Sequence, residues 1–174
     1  QADAFVVYTG SNLTHLEGED VVVWYNGEDI GTTTTYTQTY SVSGGVLTPA
    51  VSATGAIVGL PYTATFKSMK IGSPSQDVSQ ILNHDKNINH VGLIMANTHR
   101  KGIRFGPDFT TMDSLPDIEE EVALGDITSD MYTAYDQRPI EFPGGWNTDS
   151  RVCLKAQAPR PVTLLALDIA LEMN

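Results

Sequence analysis

The sequence predicts an all-β protein: a small β-barrel precedes a second, β-sandwich-like unit, and there is at most one short helix. Three observations lead to this fold class. Short apolar segments alternate with polar ones, Thr and Tyr gather where half-exposed pleated surfaces are expected, and turn signals recur about every 8–12 residues. We assign residues 1–60 to the barrel and residues 61–174 to the second unit.

The barrel is predicted from short strands that are separated by turns rich in glycine. Asn26-Gly27 follows an apolar run directly and is a strong turn dipeptide, and Gly44-Gly45 marks a second turn. The segment between these turns is rich in Thr and Tyr, which favour strands. The predicted strands of the barrel are residues 5–8, 21–25, 32–42, 46–47 and 56–58.

The second unit is predicted to begin at the junction Gly59-Leu60-Pro61. The alternation from Tyr62 to Ile71 predicts a strand there, which we expect to pair with strands near 88–96, 150–157 and 162–171. The sequence Ser73-Pro-Ser-Gln76 fits a capping box with proline at the first helical position, so a short helix is predicted at 73–82.

The rest of the second unit is predicted to be strands and turns. Residues 97–102 read as a polar turn that returns the strand 88–96 into 103–105, and residues 107–130 read as irregular and acidic. Further strands are predicted at 140–142, 150–157 and 162–171. In the last of these, the predicted buried set is Leu165, Leu167, Ile169 and Leu171.

Charge and composition exclude several classes of protein. The formal net charge is −11, and 10 basic residues in 174 do not supply the positive patch that tight nucleic-acid binding needs. The single cysteine, Cys153, excludes an internal disulfide framework and fits folding in a reducing cytoplasm. No apolar run approaches the roughly 20 residues that span a bilayer. Because the chain begins with Gln1 rather than Met, we expect it to be a processed product or a fragment of a longer protein.

The sequence predicts no catalytic, cofactor-binding or metal-binding residue. His84, His90 and His99 do not form an H-x-x-x-H pattern, which favours loop histidines over a zinc site. There is no G-x-S-x-G motif, and Cys153 lies within an alternating strand, which favours an inert thiol. The acidic run Glu119–Glu121, with Asp126 and Asp130 beyond it, lacks the alternate spacing of a calcium loop and favours a solvated loop.

Aromatic residues next to polar segments are the remaining candidates for a functional surface. Tyr36, Tyr40 and Trp146 are the predicted interface or ligand platform, and Tyr132 and Tyr135 share their polar surroundings. Two alternatives stay open at this point: the side chains lie on the surface and bind a partner, or they fill the cores of a β-rich fold.

An ordered series of motifs resembles the distal half of the tail tube nozzle proteins of short-tailed bacteriophages, also called tail tubular protein B or tail stabilisation proteins. The resemblance runs from about residue 5 to the end of the chain, and family members are much longer. Where the family usually has a basic stretch before the Ile-x-x-Val-x-Leu strand, this chain has only Lys86. The motifs are Val58-Gly-Leu-Pro-Tyr62, Lys86-Asn-Ile-Asn-His-Val-Gly-Leu93, Arg104-Phe-Gly106, Glu141-Phe-Pro-Gly-Gly-Trp146, Arg151-Val-Cys-Leu-Lys155 and Gln157-Ala-Pro-Arg-Pro-Val-Thr-Leu-Leu-Ala-Leu167.

The resemblance implies a structural protein of the virion tail that is made in the cytoplasm of a bacterial host. It implies a six-fold ring of identical subunits below the portal and the tail adaptor, forming the distal channel through which the genome leaves. It also implies that the protein is not an enzyme, holds no cofactor, is not inserted in a membrane, and lets DNA pass without binding it specifically. An acidic channel wall would repel the DNA backbone, which gives the charge of −11 a physical use.

Two other functions remain as alternatives. The first is a glycan-binding, adhesin-like β-sandwich, for which the Tyr-rich strand and Trp146 would be the platform. The second is a hydrolytic enzyme, a depolymerase or peptidoglycan hydrolase, built on paired carboxylates.

Overall fold

The computed structural model describes residues 5–8, 12–25, 28–29, 40–48, 55–72, 83–117 and 131–173, and the predicted all-β fold class is confirmed. These residues contain thirteen strands and one 3-10 turn, Thr14–Leu16. The short helix that is predicted at 73–82 lies outside the described residues. In the described part of the chain, no helix combines the length and the apolar character needed to cross a bilayer.

The chain forms two compact units. The first unit is Gln1–Thr63 together with Gln157–Pro161, and the second is Ala64–Ala156 together with Val162–Asn174. The predicted division, at residues 60 and 61, does not anticipate that a short segment late in the chain returns to the first unit.

The first unit is built on one sheet that curls into half of a barrel. The strand order is β1-β6-β2-β4-β5, and β3 pairs with the C-terminal end of β2. Its core is small and aliphatic, with Val21, Val23 and Val58 fully buried. The strands are β1 (Phe5–Tyr8), β2 (Asp20–Tyr25), β3 (Glu28–Asp29), β4 (Tyr40–Ser43), β5 (Val46–Thr48) and β6 (Ala56–Gly59).

The predicted turn at Gly44-Gly45 is confirmed and joins β4 to β5. Both glycines have positive φ, +63° and +75°, a backbone conformation that L side chains rarely adopt. The carboxylate of Glu17 accepts a hydrogen bond from each of the two turn amides, at 2.8 and 2.9 Å. These bonds lower the pKa of Glu17 below its ordinary value.

Among its described residues, the second unit contains two sheets and the larger of the two cores. One sheet has the order β10-β9-β12-β7, and the other has the order β11-β8-β13. The core between their apolar faces includes Leu93, Phe105 and Leu154, each nearly or fully buried. The strands are β7 (Thr63–Lys67), β8 (Lys86–His99), β9 (Ile103–Gly106), β10 (Asp113–Ser114), β11 (Met131–Glu141), β12 (Cys153–Gln157) and β13 (Leu164–Met173).

The long central strand β8 owes its irregular burial to a bulge. Ala170 pairs with His90 and Leu171 with Ile88, so that Asn89 has no partner on β13. The extra residue shifts the alternation of β8 by one position. As a result Ile88 and Val91 both face the core, although they are three residues apart.

The prediction that residues 103–105 return alongside the strand 88–96 is wrong. After a turn closed by the hydrogen bond from the Gly102 amide to the His99 carbonyl, β9 joins the other sheet and pairs with β10 and β12. Similarly, β7 pairs with β12, as predicted for 150–157, whereas β8 and β13 belong to the other sheet.

Two further differences concern β13 and β11. Leu167, Ile169 and Leu171 pack against the core as predicted, but Leu165 is 63% exposed. The register skips from Leu164 to Ala166, so Leu165 is the bulged residue and leaves the predicted face. The strand β11 extends the predicted 140–142 by nine residues towards the N-terminus, starting at residue 131.

Candidate functional site

Of the three residues predicted to form a platform, only Trp146 is at the surface of the described structure. Tyr40 is 6% exposed and belongs to the core of the first unit, so it offers no surface to a ligand. Tyr36 lies outside the described residues. Tyr132 and Tyr135, which share the same type of sequence surroundings, are buried in the second unit. Trp146, by contrast, is 51% exposed.

The loop that carries Trp146, residues 142–150, is held against β8 by backbone hydrogen bonds. Lys86 and Asn147 exchange two of them, at 3.0 and 2.9 Å, and the Phe142 amide donates to the Asn89 carbonyl at 3.0 Å. The Ser150 hydroxyl donates to the Lys86 carbonyl at 2.9 Å. The loop therefore has a defined conformation although it contains no regular strand.

The sequence Pro143-Gly144-Gly145 allows the loop to pass close to the core. A Cβ atom at Gly144 would lie 2.9 Å from Cδ1 of Phe142 and 3.2 Å from the Ile88 carbonyl oxygen, whereas one at Gly145 would meet nothing within 4 Å. Of these two glycines, only Gly144 lies where packing leaves no room for a side chain. The loop passes close to Phe142 at this point, and Phe142 is buried.

A cleft of about 380 Å³ opens beside Trp146. Its apolar lining is Ile88, Pro107 and Phe142, and its polar lining comes from β7, from the loop after β9 and from the Trp146 loop. The polar side chains are Lys67, Asp108, Asn147, Asp149, Ser150 and Arg151. The volume is near the lower end of the range for small-molecule sites.

Asp108 is held in place by the loop that follows β9. Its Oδ1 atom accepts hydrogen bonds from the amides of Thr110 and Thr111, at 2.7 and 2.8 Å, and from the Thr110 hydroxyl. These bonds, the Thr110 hydroxyl first among them, hold the pKa of Asp108 below its ordinary value. The loop folds tightly onto β9, because a Cβ atom at Gly106 would collide with the Thr111 carbonyl oxygen.

Asp149 and Arg151, which also line the cleft, form an ion pair with 2.9 Å between Nε of Arg151 and Oδ1 of Asp149. Nη1 of Arg151 also donates to the Ser68 carbonyl at 3.2 Å. The Asp149 amide donates to Oδ1 of Asn147 at 2.8 Å, which orients the Asn147 side chain. Asp108, Asn147 and Arg151 are therefore donors and acceptors of the cleft whose side chains are oriented by hydrogen bonds.

Cys153 lies in β12 and is fully buried. Its thiol contacts the Pro107 carbonyl, with 3.5 Å between sulfur and oxygen. Burial raises the pKa of the Cys153 thiol, so the reactive thiolate form is disfavoured. The arrangement suits a packed thiol and gives no activation of a nucleophile.

Lys86, beneath the Trp146 loop, has no solvent exposure. Its Nζ donates to the His84 carbonyl at 2.9 Å. Burial, assisted by the nearby charge of Lys70, lowers the pKa of Lys86. Lys86 anchors the Trp146 loop through its two backbone hydrogen bonds to Asn147.

The histidines and acidic residues give no metal site in the described part of the chain. Among residues 5–8, 12–25, 28–29, 40–48, 55–72, 83–117 and 131–173, no group of three or more His, Cys, Asp or Glu side chains is placed to hold a metal ion. The acidic run Glu119–Glu121 with Asp126 and Asp130 lies outside these residues.

Sequence reasoning found Trp146 but missed the polar groups around it. Lys67, Asp108 and Asp149 come from three separate segments, and no local spacing reports that they meet. One local signal was available for Asp108: in Asp-Phe-Thr-Thr, a short acceptor precedes amides two and three residues later, which is typical of an Asx-type turn.

Comparison with protein-family models and with curated proteins gives no match for this chain.

Proposed function

We propose that this protein is a structural component of a bacteriophage tail, a subunit of the distal tube or nozzle through which DNA is ejected. The ordered motifs resemble that family, and the all-β fold agrees with what the resemblance implies. The observation that carries the proposal is the surface of the second unit, where strand edges bearing large apolar side chains lack partners among the described residues.

One such surface is β7 and the residues that follow it. All five residues of β7 are exposed, and in the described structure its only neighbour in the sheet is β12. Phe66 is 51% exposed and Met69 is 86% exposed. Two cations, Lys67 and Lys70, lie in the same short stretch. An exposed edge strand with apolar side chains favours pairing with another chain.

The second surface is the outer face of β13. Its residues Ala166, Asp168, Ala170 and Glu172 are all exposed. The two alanines allow another chain to approach closely, and the two carboxylates give the face a negative charge. Asp168 accepts a hydrogen bond from the Ile169 amide at 3.0 Å, which protects part of the strand edge. We therefore expect β13 to contact a partner mainly through its side chains.

The two surfaces are complementary in charge, and the occupant that we propose for each is a second copy of this chain. The basic β7 surface of one copy would meet the acidic β13 surface of the next. An interface between two different surfaces of the same subunit is heterologous and produces a closed ring when the rotation closes. This is the type of interface that a six-fold nozzle ring needs.

The location in the virion is tested by antibody labelling. A gold-labelled antibody raised against this chain would be applied to negatively stained phage particles from the source culture. We expect gold at the far tip of short tails. If the particles carry no label while the protein is found free in the lysate, the proposed function is wrong.

The subunit contact is tested separately, by substitution on β7. Phe66→Asp places a negative charge against the acidic β13 surface and should weaken self-association, measured by sedimentation velocity, by at least about tenfold. Ser43→Asp is the matched control, because Ser43 is also exposed but lies on β4, outside both proposed surfaces. A wild-type chain that stays monomeric at high concentration, or equal effects of both substitutions, would contradict the proposed contact.

A further inference from the structure

The cleft beside Trp146 has features that a role in subunit assembly does not require. A tryptophan side chain is large and mostly apolar, and half of its surface is left in water here. It lines a concave site together with the apolar side chains of Ile88 and Phe142 and with several polar side chains. Such a combination is typical of a small-molecule binding site rather than of a flat protein interface.

The polar lining offers donors and acceptors that the described residues leave available. The hydrogen bonds of Asp108 all go to Oδ1, so Oδ2 remains open to a ligand. The Asn147 side chain uses Oδ1 internally, which leaves its amide nitrogen as a donor. Lys67 adds an ammonium group to the same lining. A carboxylate and neighbouring donors together match a pair of adjacent hydroxyl groups, each of which both donates and accepts.

The charges of the cleft select the kind of ligand. Lys67 and Arg151 supply two positive charges, and Asp108 and Asp149 supply two negative ones, so the lining is balanced. The protein as a whole carries −11 and repels anions. A neutral ligand with many hydroxyl groups and one apolar face therefore suits this cleft better than an acidic one.

We propose that the Trp146 cleft binds a neutral pyranose ring of a glycan. The indole of Trp146 stacks on the apolar face of the ring, while Asp108 and the donors Lys67 and Asn147 bind its hydroxyl groups. The hydrogen bonds to β8 hold the backbone of the Trp146 loop in place before the ligand arrives, which reduces the entropic cost of binding. This proposal does not depend on the tail location, so antibody labelling and sugar binding can fail independently.

The test uses the full chain and the fluorescence of a single tryptophan. The sequence contains two tryptophans, Trp24 and Trp146, so the variant Trp24→Phe reports from Trp146 alone. It would be titrated at millimolar concentrations with maltotriose, cellotriose and β-1,4-galactotriose, and with a trimer of galacturonic acid for comparison. We expect a saturable change in emission with at least one neutral trimer and none with the acidic trimer.

Two further variants connect the signal to the cleft. Asp108→Asn keeps the Oδ1 acceptor that orients the loop but removes the charge, and should weaken binding by about tenfold. Trp146→Ala should abolish saturation-transfer NMR signals from the same sugar, with an unchanged far-UV circular dichroism spectrum as control for folding. The proposal is overturned if no neutral trimer binds, if the acidic trimer alone binds, or if Trp146→Ala and Asp108→Asn bind as tightly as the parent.

Discussion

Individual carboxylates in this acidic chain hold local structure together, each in a different way. Glu17 binds the two amides of a glycine turn, Asp108 orients a loop at the cleft, and Asp117 pairs with Arg100. Arg100 is buried, and its guanidinium also lies over the ring of Tyr132, 5.4 Å from the centroid. The Tyr132 hydroxyl donates to the same Asp117 oxygen at 3.3 Å.

The pair of Arg100 and Asp117 should stabilise the second unit measurably. The side chain of Arg100 is 7% exposed, so Asp117→Asn would leave the buried positive charge of Arg100 without its negatively charged partner. We expect the free energy of unfolding in urea to fall by about 1–2 kcal/mol. Asp149→Asn is the matched control: its partner Arg151 is 30% exposed, and the loss should stay below about 0.5 kcal/mol. Equal losses in both variants would contradict the role of burial.

The turn carboxylate predicts a dependence of stability on pH. The pKa of Glu17 is lower in the folded chain than its ordinary value of 4.5, so its contribution to stability is present above that value and is lost as the pH falls through the folded pKa. Glu17→Gln should therefore be less stable than the parent at pH 7, and the two should converge in acid. The control is the variant Glu19→Gln, whose free energy of unfolding we expect to match that of the parent both at pH 7 and in acid. A Glu17→Gln variant that keeps its deficit at low pH would refute this account.

At the scale of strands and loops, the Trp146 loop depends on one glycine and not on its neighbour. Gly144→Ala would push a methyl group against the Phe142 ring and the Ile88 carbonyl, and should lower the free energy of unfolding by about 1–3 kcal/mol. Gly145→Ala, where the added atom meets nothing, should change it by less than about 0.5 kcal/mol. Chemical denaturation of both variants, followed by Trp146 emission in a Trp24→Phe background, gives the comparison. The explanation fails if Gly145→Ala is the more damaging change.

Short apolar runs bounded by turn signals predicted β1, β2, β5 and β6, and two-residue alternation predicted β13. Alternation failed where the backbone departs from a simple two-residue period. The first part of β11 was missed because its buried tyrosines, Tyr132 and Tyr135, are three apart, and Leu165 was misplaced by a bulge. The cleft was predicted only through Trp146, because Lys67 and Asp108 meet through sheet pairing that depends on contacts distant in sequence.

At the scale of the whole molecule, the negative charge gives a prediction about nucleic acid. A fluorescently labelled DNA duplex should show no change in anisotropy with this protein, even at about 0.05 M salt, where electrostatic binding would be strongest. Polylysine, titrated into the same duplex, is the positive control. Binding that weakens steeply as salt is raised would show a basic surface and would exclude a channel wall that lets DNA slide past.

The buried thiol of Cys153 can be used to measure how often the sheet that contains it opens. It is the single cysteine in the sequence and is fully buried in β12, next to the strand β7 of the proposed subunit contact. A thiol-specific reagent can modify it only during the moments when this sheet opens. The modification rate therefore measures how often β12 becomes accessible, without any engineered label. If a second copy covers β7 in an assembled ring, assembly should slow the labelling of Cys153. The labelling rate would then report how long the ring stays assembled.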